Sequence, residues 1–160
     1  MNRGDTQDYR QLFLSDTPMM DVRAPVEFVK GSFPSASNLP VLTNRERELV
    51  GTCYKEKGQD EAVRLGHSLL SDDIKRERVK VWGDFAHDNP TGYLYCFRGG
   101  LRSRSTQQAM KDVGVNYPLV LGGYKAMRRF LIDELETNVS AFSYLVLGGA
   151  NGLGHSLSHL

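Results

Sequence analysis

Cysteine is scarce in this chain of 160 residues, with only Cys53 and Cys96. Two thiols cannot form the disulfide framework of a small secreted domain, so the fold must rest on an apolar core, and a reducing cytoplasm is the expected setting. Long hydrophobic runs are missing too. None approaches the roughly 20 apolar residues that cross a bilayer, and the polar opening from Met1 to Arg10 has no apolar stretch of the kind that marks a secretory signal. Excess charge of either sign is also absent, since 20 Lys and Arg face 19 Asp and Glu for a formal net charge of +1. Bulk electrostatics therefore favours neither nucleic acid nor an anionic membrane, and any such partner must be met by a local patch. His67, His87, His155 and His159 do not fall at metal-ligand spacing with the cysteines, so no metal site is expected. What is present, 40% hydrophobic, 9% aromatic and 24% charged residues, suits one ordinary globular domain.

Tyr9, Leu12 and Phe13 recur at helical spacing behind the capping candidates Asp5 and Thr6, which predicts a short first helix ending before Pro18. Met19 to Val22 reads as a buried strand whose end carries Asp21 and Arg23, two charges expected at a rim. Ala24-Pro25 opens a turn or helix with Glu27 and Phe28, and a short extended piece surrounds Asn38 and Leu39. From Thr43 to about His87 the pattern predicts two or three helices with a break near Ser71. Leu49, Cys53 and Tyr54 share one face, while Ala62, Leu65, Leu69, Ile74, Val81, Trp82 and Phe85 line the rest. The alternating charges at 75 to 80 read as a solvated face. A strand at Tyr93 to Cys96, a helix from about Arg102 to Val113 stopped by Gly114, a strand at Pro118 to Leu121 and a helix from Tyr124 to about Val139 complete the series. This alternation predicts an α/β domain with a mostly parallel central sheet flanked by helices, plus a helical insertion. Ligands gather beyond the carboxyl ends of such strands.

At that edge lies Cys96-Phe97-Arg98-Gly99-Gly100-Leu101-Arg102-Ser103. A loop curling around its first residue aims successive N–H groups inward as an anion nest, and the helix behind it adds the positive end of its dipole. A thiol held there ionises more readily, Arg98 and Arg102 add charge, and the glycines permit close backbone approach. Cys96 is thus placed as a nucleophile beside a pocket for an anionic donor. A buried core cysteine, or a phosphate-binding loop in which the thiol is incidental, are the competing readings.

Asp21-Val22-Arg23 with Glu27-Phe28, Asn38-Leu39-Pro40, the Cys96 loop and Gly122-Gly123 resemble the rhodanese domain, an α/β sulfurtransferase fold whose loop cysteine carries a persulfide. Gly51-Thr52-Cys53-Tyr54-Lys55, the Cys96 loop and Gly122-Gly123-Tyr124-Lys125-Ala126 are more specific, and resemble the N-terminal domain of the bacterial tRNA 2-selenouridine synthases over about residues 6 to 150. The resemblance implies an enzyme that acts on 2-thiouridine at the tRNA wobble position, geranylating the sulfur with geranyl diphosphate and then replacing the geranylthio group with selenium from selenophosphate. It implies that Cys96 carries selenium or assists its delivery, and that Phe97, Arg98, Gly99, Gly100, Leu101 and Arg102 cradle the anionic donor. Asp21 and Arg23 would brace the site, with Cys53 as an auxiliary or resolving thiol. Lys125, Arg128 and Arg129 would touch either tRNA phosphate or only solvent. Rhodaneses usually place the loop arginine one residue nearer to the cysteine. The wider loop is read as room for a selenophosphate-sized anion, although it also resembles phosphatases of the cell-cycle type, which carry His where this chain has Tyr95. A stand-alone sulfurtransferase and a non-catalytic interaction module are the alternatives.

The rhodanese-like domain is expected over 6–140, and 141–160 is expected to be the truncated start of a P-loop domain. There Gly149-Ala150-Asn151-Gly152-Leu153-Gly154-His155-Ser156 follows the outline of a phosphate loop with His155 where lysine belongs. An imidazole, shorter and mostly neutral at pH 7, is a poorer phosphate partner than a lysine. Isothermal titration of the chain with ATP and with geranyl diphosphate is therefore expected to show no dissociation constant in the low micromolar range.

Overall fold

Each strand of the central sheet is only three residues long, and β-pairing on both sides of the middle strand holds the set together. The computed structural model describes residues 3–141, with side chains to residue 138. The elements run α1 (Tyr9–Leu14), β1 (Met19–Asp21), α2 (Pro25–Lys30), β2 (Ala36–Asn38), α3 (Asn44–Lys57), α4 (Gln59–Leu69), α5 (Asp72–Asp88), β3 (Tyr93–Tyr95), α6 (Leu101–Asp112) and α7 (Gly123–Ala141). The order is β2-β1-β3, all parallel, with Asp21 opposite Asn38 on one side and Tyr95 on the other. The stretch expected as a strand at 118–121 joins by single parallel bridges only, Leu94 with Leu119 and Val120 with Thr6.

Alternate residues of a strand point to opposite faces, and both faces of this sheet are covered. Met20, Val22, Leu94, Cys96 and Leu119 pack with Val79, Trp82 and Ala86 of α5 and Ala109 and Met110 of α6. Met19, Tyr95 and Val120 pack with Leu12 of α1, Phe33, and Tyr124 and Met127 of α7. Buried residues of α5 thus fall at 79, 82 and 86. Val81, expected in the core, lies off that stripe and is exposed. The α3–α5 insertion is latched to the exit of β2, where Trp82 Nε1 donates to Leu39 O at 2.9 Å and Arg78 donates to Val41 O and pairs with Glu46 at 3.0 Å. Arg78 is therefore not part of a solvated face, whereas Arg76 and Lys80 are, pairing with Asp73 and Asp84.

Two further expectations are corrected. Asp8, not Asp5 or Thr6, caps α1, its Oδ1 accepting from Gln11 N at 3.1 Å. Thr6 is drawn into the sheet, where its N–H donates to Leu119 O at 2.9 Å, and the Asp5 carboxylate accepts from Leu119 N at 2.8 Å. Asp21 and Arg23 do not lie at a solvated rim, since they are 0% and 2% exposed. The pair satisfies itself: Arg23 Nη2 donates to Asp21 Oδ2 at 2.7 Å and to Gly31 O at 2.7 Å, while the guanidinium sits 3.9 Å above the Tyr124 ring. The sequence features at 142–160, including Gly149, Gly154, His155 and Ser156, lie outside the described residues. Among the described residues no helix is long and apolar enough to cross a membrane.

Removing one partner of a buried pair leaves the other charge uncompensated, so Arg23→Ala is expected to lower unfolding free energy by about 3–5 kcal/mol. The exposed Arg76→Ala should stay within about 0.5 kcal/mol of the parent. Urea unfolding of both variants measures the contrast.

Candidate active site

β3 delivers the chain to Cys96 at the carboxyl edge of the sheet, and α6 begins at Leu101, so Phe97 to Gly100 must reverse direction within four residues. The turn is held from outside by the start of α7. Tyr124 N donates to Cys96 O and Lys125 N to Phe97 O, both at 2.9 Å. Gly123, at φ 63°, lies so close that a Cβ there would meet Cys96 O at 2.5 Å and Gly99 N at 2.8 Å. Gly99, at φ 75°, packs back against it, with a Cβ position 3.1 Å from Gly122 N. Only glycine fits this pair of turns.

With its carbonyls engaged in this way, the loop leaves its amides over. Among the described residues, the backbone N–H groups of Phe97, Arg98, Gly99 and Gly100 donate to no protein oxygen. Those of Leu101 and Arg102 open a helix and have no intrahelical acceptor. Such a run of donors beside a helix N-terminus suits an anion. Cys96 itself is 3% exposed, and its Sγ lies 3.2 Å from the Ser103 Oγ on the first turn of α6.

The two loop arginines differ in environment. Arg98 is exposed, with its guanidinium 5.5 Å from the Phe97 ring centroid, and Phe97 stacks on Tyr124 at 6.3 Å. Arg102 turns away from the loop to Glu27 of α2, donating from Nη1 to Oε2 at 2.6 Å and from Nη2 to Oε1 at 3.2 Å. The same carboxylate accepts from Ala24 N at 2.8 Å and pairs with Arg47 of α3 at 3.3 Å. Burial by itself would push the Glu27 carboxyl up, but the hydrogen bond and charge of Arg102, with the Ala24 amide and Arg47, hold it below the usual carboxylate range. Arg102 was expected in the anion cradle. Here its charge is already matched, because α2 brings a carboxylate within reach.

The other expected residues are dispersed. Leu101 is exposed on the far side of Arg102, where with Tyr54, Val50 and Leu42 it borders an apolar cavity of about 190 Å³. Cys53, partly buried on α3, lines a separate groove that Arg102 also reaches. Lys125, Arg128 and Arg129 are exposed along α7 and, with Phe97 and Arg98, line a groove of about 780 Å³ beside the loop. Asp21 and Arg23 sit beneath the loop, where Arg23 supports the Tyr124 ring that Phe97 stacks on. Glu27 and Ser103 were visible only as neighbours within their motifs. Their partners, 75 and seven residues away, required the fold.

No family model matches the chain. It is 60% identical over 153 residues to a tRNA 2-selenouridine synthase of Marinobacter nauticus, an alignment covering 96% of this chain and 42% of that protein. It is 60% identical over 150 residues to the enzyme of the same name from Pseudomonas syringae pv. syringae, covering 94% and 41%. With that of Photobacterium profundum it shares 53% over 157 residues, covering 98% and 43%. The chain thus spans about two-fifths of the length of these curated relatives. Among solved structures, the N-terminal domain of a protein assigned as ATP/GTP binding from Clostridium difficile 630 superposes with a TM-score of 0.71 at 31% identity, covering 79% of this chain and 98% of that one. The α/β architecture with its parallel sheet is consistent with a rhodanese-like fold.

A carboxylate held below its unfolded value contributes stability that is present above the ordinary carboxylate range and is lost as pH falls through the folded value. Glu27→Gln is therefore expected to cost about 1.5–3 kcal/mol at neutral pH. The gap from the parent should close as the pH drops below the carboxylate range. Urea unfolding at a series of pH values reads this directly, and a gap that did not vary with pH would contradict it.

Proposed function

We propose that the chain belongs to the tRNA 2-selenouridine synthase family, a reading supported by 60% identity to curated relatives over the segment it shares with them, and that it is the chalcogen-handling part of a tRNA-modifying enzyme. Cys96 is the nucleophile that assists chalcogen delivery; it carries a chalcogen covalently only from a donor whose leaving group departs with the electron pair, as sulfite does when the thiolate takes the outer sulfur of thiosulfate. The observation that carries this reading is the set of unpartnered loop amides around a thiol at the carboxyl edge of the sheet. These donors suit an anionic chalcogen donor, which for this family is selenophosphate, and they serve equally for the charge that a terminal chalcogen would bear. Arg98 is the loop cation left facing solvent, while Arg102 acts through Glu27 to hold the first turn of α6 in place.

The substrate in this proposal is a tRNA carrying 2-thiouridine at the wobble position, geranylated from geranyl diphosphate before selenium enters. The exposed cations Arg98, Lys125, Arg128 and Arg129 lie on one side of the loop and would meet the phosphates that flank such a base. Since the chain covers about two-fifths of its relatives, the geranyl-transfer step and most of the tRNA contact are assigned to the remaining length of the enzyme.

Intact mass after exposure to thiosulfate is expected to show one sulfur adduct in the parent, with sulfite as the leaving group, and none in Cys96→Ala. Absence of any adduct would favour an interaction module without chemistry. Nucleoside analysis of tRNA from a deletion strain carrying the complete enzyme with Cys96→Ala is expected to show loss of 2-selenouridine. Unchanged 2-selenouridine would sink the assignment, and an adduct without effect on tRNA would point to a stand-alone sulfurtransferase.

A further inference from the structure

Ser103 is 0% exposed on the first turn of α6, and its hydroxyl lies between two groups. Cys96 Sγ is 3.2 Å from Oγ and Gly100 O is 3.1 Å from it. A serine hydroxyl has one proton to donate and lone pairs to accept with. While Cys96 is a thiol, its S–H donates to Ser103 Oγ and the hydroxyl donates to Gly100 O. A thiolate has no proton to give and becomes an acceptor. Gly100 O also accepts from Arg104 N at 3.2 Å, so it keeps a partner if the hydroxyl turns away.

We infer that Ser103 is a positioning residue for Cys96, a rotating hydroxyl that accepts from the thiol and donates to the thiolate. This rests on the reading of Cys96 as the nucleophile and deepens it. The turn exchanges a bond to a neutral carbonyl, which retains another donor, for a charge-assisted bond to sulfur. The hydroxyl also fixes where the sulfur points, because both atoms are buried and α6 holds Ser103 rigidly. A purely structural serine would need only its bond to Gly100 O, and the approach of Sγ would then have no consequence for reactivity. The charged groups on the elements around the loop are Arg98 and Arg102, Glu27 on α2 and Arg47 on α3 behind Arg102, Asp21 and Arg23 at the end of β1, and Lys125 on α7. None is altered by substitution at Ser103.

The test is the rate of iodoacetamide alkylation of Cys96 across pH, read by peptide mapping so that Cys53 serves as an internal control. Ser103→Ala is expected to slow alkylation at neutral pH by about tenfold and to move the pH–rate profile upward, with Cys53 unchanged. Ser103→Thr and Ser103→Val share the same added bulk and differ in the hydroxyl. Thr is therefore expected to react faster than Val by a similar factor even if both repack the site. An unreactive Cys96 in the parent would overturn the nucleophile reading together with this one. A reactive Cys96 whose profile is the same in Ser103→Ala, and the same in Thr as in Val, would overturn this inference alone.

Discussion

The carbonyl oxygens of Cys96 and Phe97 are bound by the first amides of α7, through a gap that only the main chain of Gly123 can occupy. This interlock determines the form of the loop. With its carbonyls turned toward α7, the loop directs what remains of its polar backbone elsewhere, and the unpartnered N–H groups of Phe97 to Gly100 follow from that arrangement. The buried Asp21–Arg23 pair sits under the same joint. Arg23 bears on the Tyr124 ring and Asp21 ends β1, so strand, helix start and loop are tied through one ring and one guanidinium.

Charge at the site is arranged around Glu27. One carboxylate accepts from Arg102 and the Ala24 amide and pairs with Arg47, joining the first turn of α6, the insertion helix α3 and the start of α2. Among the described residues the loop's positive groups are then its unpartnered backbone N–H dipoles and the exposed Arg98, with Arg102 already compensated. Backbone donors are the more rigid of the two, and a rigid array loses little entropy when it binds. Ser103 adds an adjustable hydrogen bond to this fixed surround.

The insertion α3–α5 supplies part of the scaffold as well as an added surface. Trp82 and Arg78 fasten it to the segment leaving β2, and Arg47 reaches Glu27 from it. The cavity beside Leu101 lies between this insertion and α6, and the Cys53 groove lies along α3 and α4 with Arg102 at its edge, both separate from the groove along α7. The cavity beside Leu101 is mostly apolar, whereas the Cys53 groove is lined by charges of both signs and the groove along α7 by exposed cations.

Much was legible before the fold was known, because local physics decides it. Period and punctuation located the helices, including the break before α5 at Ser71, and the run of Cys96, two glycines and two arginines between strand and helix identified the loop. Asp21 and Arg23 could not be placed, since a charged pair looks equally suited to a rim or a sealed core until its partners at Gly31 and Tyr124 are known. Val81 and Val79 differ by a shift in helical phase that the packing of α5 alone selects. The cap of α1 moved to Asp8 because Thr6 is taken up in a parallel bridge with Val120. Sequence by itself determined the element types and the place of the Cys96 loop between a strand and a helix, both set by contacts a few residues apart. The tertiary structure decided which charges Arg102 and Arg23 meet and that a buried hydroxyl faces Cys96, because those distances depend on how separate elements come together at one edge of the sheet.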